Sequence, residues 1–229
     1  MKSEKKQKKN FFLIEKSLSF ARMKKNVNGE KYMELTWILL GIVILIVLFG
    51  IIIYNRLVTL RNQVKNAWSQ IDVQLQRRYD LIPNLVETVK GYMNFEKGTL
   101  EAVVKARSQA IAARDAVEKR GGPTGGGSIK NLLGAEIALQ RSLGNILALA
   151  ENYPQLRASE TMKSLQEELS TTENRIAFAR QAYNDQGMSY NTAQQTFPAV
   201  FFASMFGHHP VEMYEVADQE AKKAVKVAF

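Results

Sequence analysis

Hydrophobic and polar positions divide this chain into one unbroken apolar run and a long region of periodic stripes. From Leu35 to Tyr54 the run LTWILLGIVILIVLFGIIIY carries no charged side chain. Its 20 residues, as a helix, would rise about 30 Å, the thickness of a bilayer's hydrocarbon core. Trp37 and Tyr54 stand towards its ends, where amphipathic rings favour the headgroup level, and Ile44 and Ile51 lie inside. A cleaved signal peptide would have a shorter core and a small-residue cleavage site, whereas Asn-Arg-Leu-Val follows Tyr54. The run predicts a single membrane span with Leu35, Trp37, Ile44, Ile51 and Tyr54 as anchor positions.

After the run the periodicity is helical. No glycine or proline interrupts 51–82, so the span is expected to continue into a first helix with Leu57, Leu60, Val64, Trp68, Ile71, Leu75, Tyr79 and Ile82 on one stripe. Asp80-Leu-Ile-Pro83 predicts a break, because proline disfavours helix at the residue before it and suits a first turn. A second helix is expected over 83–119, with Leu85, Val86, Val89, Met93, Leu100, Val103, Val104 and Ile111 facing inward. The segment GGPTGGGS, Gly121 to Ser128, predicts a linker without regular structure, with Ser128 capping a third helix. That helix, 128–151, offers Ile129, Leu132, Leu133, Ile137, Leu143, Ile146, Leu147 and Ala150 to a core. The fourth has the most regular pattern: Met162, Leu165, Leu169, Thr172, Ile176, Ala179, Tyr183, Gln186, Tyr190, Ala193 and Phe197 alternate by threes and fours, the spacing of a coiled-coil seam. Pro198 ends it.

With no clear strand signal, the expected fold is all-α: a transmembrane helix continuing into an antiparallel, up-and-down four-helix bundle. The organisation follows as a basic, disordered extension (1–34), the span (35–54), the bundle (55–197) and a C-terminal segment (198–229).

Charge refines this picture. The chain has 31 basic and 22 acidic residues, but ten of the basic and four of the acidic ones lie in 1–34. The excess belongs mainly to the tail, which removes most support for a nucleic-acid partner. The tail's lysine runs alternate with Phe11, Phe12, Leu13, Ile14, Leu18 and Phe20, a pattern suited to anionic lipid. Retained, the tail directs the bundle outside the cytoplasm. With a start at Met33, Arg56, Arg61 and Lys65 hold it inside, so the side is left open.

Candidate chemistry is sparse. There is no cysteine, and no GxSxG, HExxH, Walker or dinucleotide pattern. Glu87, Glu167, Glu168 and Glu173 read as a solvated charged face, since a di-metal site on helices would need Glu-x-x-His. His208 and His209 read as a surface turn, with metal binding as the sharper alternative. No catalytic, cofactor or metal residue is assigned. Arg77-Arg78-Tyr79-Asp80 puts two cations and an aromatic at the end of the first helix, where the cations, Arg77 and Arg78, complement its dipole. Phe197, Phe201, Phe202 and Phe206 form the densest aromatic cluster outside the span, expected to close one end of the bundle, or else to dock a partner, lipid or second copy.

Three blocks carry a resemblance. Tyr54 to Tyr92, with Trp68, Asp72, Arg77, Arg78, Tyr79, Asp80, Pro83 and Asn84, is similar to the LemA family of bacterial membrane proteins. So are the block from Glu173 to Asp185, with Asn174, Arg175, Arg180, Tyr183 and Asn184, and the pairs Tyr190-Asn191 and Phe197-Pro198. The resemblance covers about 33–207 and implies a membrane helix, a helical bundle, residence in the bacterial inner membrane and no established activity. It also implies envelope partners, among them membrane proteases or TPM-domain proteins. Family members commonly begin just before the membrane helix, which marks Met33 as a start. The expected role is a non-enzymatic scaffold or adaptor. The rivals are a self-assembling structural protein and a metal-dependent sensor or enzyme.

Overall fold

The computed structural model describes residues 2–92, 96–125 and 127–215, with the side chains of 2–14 and 17–32 outside that description. All regular structure among these residues is helical: α1 Lys2–Lys90, α2 Lys97–Glu118, α3 Lys130–Ala150, α4 Pro154–Ala158, α5 Glu160–Gln195 and α6 Ala199–Met205, with a 3-10 turn at Pro123–Gly125. The chain forms two compact units, Met1–Ile53 and Tyr54–Phe229.

In the first unit the backbone of 2–34, expected as a disordered extension, is helical. The segment has no proline, and nine Lys and four Glu, both good helix formers, make up much of it. Leu35, Trp37, Ile44 and Ile51 each expose more than half of their surface. This is one helix long and apolar enough to cross a membrane, and it is consistent with a single-pass membrane protein.

In the second unit the stripes pack together. Val64, Trp68, Ile71, Leu75, Tyr79 and Ile82 of α1 share one buried core with Leu132, Leu139 and Ile146 of α3 and Met162, Ile176, Tyr183 and Tyr190 of α5 among others, and Leu57 is buried as well. The α5 seam is thus buried within one chain, so its heptads are not free to pair with a second copy. Residues on α1 meet partners of falling number on α2 (Trp68 with Glu118, Asp72 with Arg114, Tyr79 with Arg107) and on α5 (Trp68 with Tyr183, Arg78 with Glu173). Two expected core positions face outward instead. Val104 is exposed because Leu100, Val103, Ala106 and Ala110 carry the inner face of α2, and Phe197 lies beyond the end of α5. Met93 lies outside the described residues.

The break expected at Pro83 is absent: α1 continues to Lys90, and the chain turns at Gly91 and Tyr92. Proline has no N–H to give to the carbonyl four residues back, which is that of Tyr79. Arg107 of α2 supplies the missing donor, its Nε lying 2.7 Å from Tyr79 O. A side chain from another helix therefore repairs the backbone that the local sequence would have interrupted.

The glycine-rich segment is not a loose linker either. Gly122, Pro123 and Gly127 are buried. The backbone closes on itself, with Gly122 N–H donating to Val117 O (3.1 Å) and Gly127 N–H to Gly122 O (3.1 Å). Arg61 Nη2 donates to Thr124 O at 3.0 Å. Glycine is needed at Gly122, whose φ of +69° few side chains adopt, and at Gly127, where a Cβ would lie 2.9 Å from Val117 O. Ser128 does not cap α3 alone: Glu212 accepts from the Ser128 hydroxyl (3.1 Å) and from the Ile129 N–H (3.0 Å).

After α6 the chain returns along α5 as an extended strap. Asn191 donates to Val211 O and accepts from Val211 N–H, both at 2.9 Å, and Asn184 does the same for Tyr214 at 3.2 and 2.8 Å. Seven helical residues and three extended ones both advance about 10 Å, so the two asparagines match the strap's register. Gly187 between them lets the strap approach, a Cβ there lying 3.1 Å from Met213 Sδ.

Three outcomes follow for the full chain in detergent, read by urea denaturation and circular dichroism. Arg107→Met should cost about 1–3 kcal/mol by orphaning the Tyr79 carbonyl, and distinctly less in a Pro83→Ala background, where residue 83 regains its N–H. Gly127→Ala should destabilise by more than about 1 kcal/mol through overpacking against fixed backbone. Gly144→Ala, in α3 with nothing within 4 Å, should stabilise by about 0.5–1 kcal/mol.

Candidate functional site

The polar residues converge on the middle of the second unit. Arg78 exposes 2% of its surface and Glu136 of α3 3%. Arg78 Nη1 donates to Glu136 Oε2 at 2.8 Å, and Nη2 donates to Glu173 of α5. The other Glu136 oxygen accepts the Tyr79 hydroxyl. One guanidinium thus joins three helices, and its fork geometry suits two carboxylates at once. Burial pulls the Arg78 pKa down and the Glu136 charge opposes that pull. Burial also pushes Tyr79 far up, with Glu136 adding to the effect, so its hydroxyl stays a donor.

A second layer surrounds this ion pair. Arg180 lies over the Tyr214 ring, 4.9 Å from its centre, a cation–π arrangement. Tyr214 is pushed up to about 12, mainly by burial, with Arg180 opposing. Tyr183 donates to Glu212 O at 2.7 Å, and the Trp68 ring meets Tyr183 edge-on at 5.8 Å. Trp68 Nε1 donates to Glu118 Oε1 at 2.6 Å. Arg114 forks onto Asp72 and also reaches Gln76 Oε1 at 2.8 Å.

Several expectations change here. Arg77, Arg78, Tyr79 and Asp80 do not end a helix, because α1 runs on to Lys90, and Arg78 is held by carboxylates rather than by a dipole. Glu173 is not part of a solvated face but the half-buried partner of Arg78. Of the other motif residues, Trp68, Tyr79 and Tyr183 are buried, Asp72, Arg180 and Asn184 half-buried, and Arg77, Asp80, Pro83, Asn84, Asn174 and Arg175 exposed. His208 is buried, its Nδ1 2.8 Å from the Tyr190 hydroxyl, while His209 is exposed. Burial, then Arg61 and His209, pull His208 below its usual range. Among the described residues no three His, Asp or Glu side chains gather in a way that could hold a metal.

Glu136 was not singled out from the sequence, although a signal existed. It interrupts the buried stripe Leu132, Leu139, Leu143 at helical spacing, and a carboxylate on an apolar stripe calls for a buried cation. Arg107, Arg114 and Glu212 carry no such mark.

The aromatic cluster does not close an end of the unit. Phe197, Phe201 and Met205 expose 80%, 68% and 68% of their surfaces, and only Ala203 of α6 is buried. At the opposite end of this unit's stretch of α1, a cavity of about 600 Å³ opens between Val86, Glu87 and Lys90 of α1 and Lys97, Leu100, Glu101, Val104 and Lys105 of α2.

Glu136→Ala should cost on the order of 3–5 kcal/mol in urea denaturation, because a buried guanidinium loses its enclosed partner. The joint replacement Arg78→Met, Tyr79→Phe and Glu136→Leu should recover most of that loss, since an apolar set needs no compensation.

Three similar proteins bear on this arrangement. Magnetosome protein MamQ of Magnetospirillum gryphiswaldense is 28% identical over 179 residues, 70% of this chain and 64% of that protein. Magnetosome protein MamQ 2 of Paramagnetospirillum magneticum is 28% identical over 177 residues, 71% of this chain and 64% of that protein. The chain therefore spans 64% of the length of these magnetosome relatives. Protein LemA of Metamycoplasma hominis is 26% identical over 166 residues, 72% of this chain and 70% of that protein. The LemA family model matches residues 67–229, from the turn of α1 that holds Trp68 through the strap and beyond, and the chain belongs to the LemA family.

Proposed function

We propose that this protein is a membrane-anchored, non-enzymatic scaffold or adaptor of the bacterial inner membrane, with a four-helix, up-and-down body that acts through protein contacts. The falling partner numbers from α1 to α2 and from α1 to α5 favour that topology, as do the ties of α3 to α1 through Glu136 and to the strap through Glu212. The observation that carries the functional reading is the state of the interior charges. Arg78 and Glu136, the buried charged pair, satisfy each other with the half-buried Glu173 beside them, so these interior charges serve the fold rather than a substrate. Relatives named as magnetosome proteins, rather than by a reaction, fit the same reading.

The cavity between α1 and α2 is the contact surface this reading favours. Val86, Leu100 and Val104 give it an apolar floor, and Lys90, Lys97, Lys105, Glu87 and Glu101 a mixed charged rim. It lies about 50 Å along α1 from Tyr54. Membrane proteases and TPM-domain proteins are the partner classes to test first.

A photocrosslinking residue at Val104 in intact cells should give an adduct of defined mass, lost on joint Lys97→Glu and Lys105→Glu replacement. The same residue at Phe178, exposed on α5, should not. Equal labelling at both positions, or none at Val104, would remove the basis for the proposal.

A further inference from the structure

Two stretches of this chain exceed 20 residues without a Lys, Arg, Asp or Glu: 35–55 and 186–211. With 23% of all residues charged, a run of 26 lacking any is unusual, and the first such run is the membrane span. The second covers the end of α5, all of α6 and the start of the strap. Its Phe206 ring lies 5.0 Å from the ring of Tyr54, the residue that closes the apolar run.

Within the second stretch Tyr190, Ala193, Ala203 and Val211 are buried, while a set of large apolar side chains faces outward. Phe197, Phe201 and Met205 stand four residues apart, and the Phe197 and Phe201 rings adjoin edge-on at 6.1 Å. Val200 and Phe206 extend the patch at 42% and 40% exposure. Leaving phenylalanine and methionine side chains in water is unfavourable relative to burying them, so a patch of this kind needs a cover. A protein interface would be expected to carry a polar and charged rim, and the segment that forms this patch supplies no charged side chain over its 26 residues. Its continuity with Tyr54 places it at headgroup level, and the exposed Arg56 two residues on supplies a cation for lipid phosphate.

We propose that α6 is a second membrane contact, with Phe197, Phe201 and Met205 inserted into the headgroup–acyl boundary of the bilayer that holds the Leu35–Tyr54 span. Insertion by about 5–10 Å, as for interfacial amphipathic helices, is enough to cover these side chains. The contact rests on the span and not on the scaffold reading. It acts on whichever side of the membrane the domain occupies.

The chain has no cysteine, so single-cysteine variants take one fluorophore each. The full chain is reconstituted in vesicles of phosphatidylethanolamine and phosphatidylglycerol, with nitroxide placed on the shallow part of the acyl chain. Ile44→Cys reports the span and Phe178→Cys an aqueous face. Labels at Phe201→Cys and Met205→Cys should be quenched by the nitroxide lipid severalfold more than the label at residue 178, and shielded from aqueous iodide. Iodide quenching equal to that at residue 178 would overturn the proposal by showing a surface in water. Shielding from iodide without lipid quenching would overturn it by showing a protein cover, such as a second copy.

Discussion

The body of this protein depends on a single guanidinium placed where water cannot reach it. Arg78 comes from α1, Glu136 from α3 and Glu173 from α5, so the ion pair exists only when three helices are in register. Desolvating such charges is expensive, and their mutual attraction at best offsets much of that cost. What the arrangement adds is discrimination. Sliding α3 by one turn would leave Arg78 facing leucine and Glu136 without a cation or the Tyr79 hydroxyl, a penalty that a purely apolar seam would not impose. That is a reason for so many polar motif residues to cluster around this level of the helices.

The same logic recurs wherever the backbone departs from regular helix. Pro83 leaves a carbonyl without its donor, and Arg107 arrives from α2 to fill the vacancy. At the start of α3 the Ile129 N–H lies outside the helix ladder, and Glu212 reaches it from the strap. The strap itself has no neighbouring strand, and Asn184 and Asn191 present amide groups that bond it as a strand would. Each repair joins positions distant in sequence, so local irregularity is converted into tertiary constraint.

These features divide the surface from the interior. Inside, ionisable groups are consumed by one another. Outside, the described residues offer a cavity with a mixed-charge rim where α1 ends, and a charge-free aromatic patch beside Tyr54. The two surfaces are built from different residues, so the proposed protein contact and the proposed lipid contact do not compete. Membership of the LemA family and the magnetosome relatives fit a membrane-associated protein of this kind without naming a reaction.

The sequence by itself determined the helical class, the apolar span and most of the inward-facing positions, because these follow from period and composition, which act within a few residues. Leu57 to Ile82 on α1 and Met162 to Tyr190 on α5 were legible on that ground, and so was the aromatic cluster as an unusual patch. Tertiary structure decided the rest. Pro83 signalled a break that Arg107 cancels, the glycine-rich segment signalled a linker that its own backbone hydrogen bonds close, and Arg78 looked like a helix-end cation until Glu136 and Glu173 met it. In each case the deciding partner is 20 or more residues away or is a backbone group, and its contribution depends on distance and burial, which no local pattern encodes.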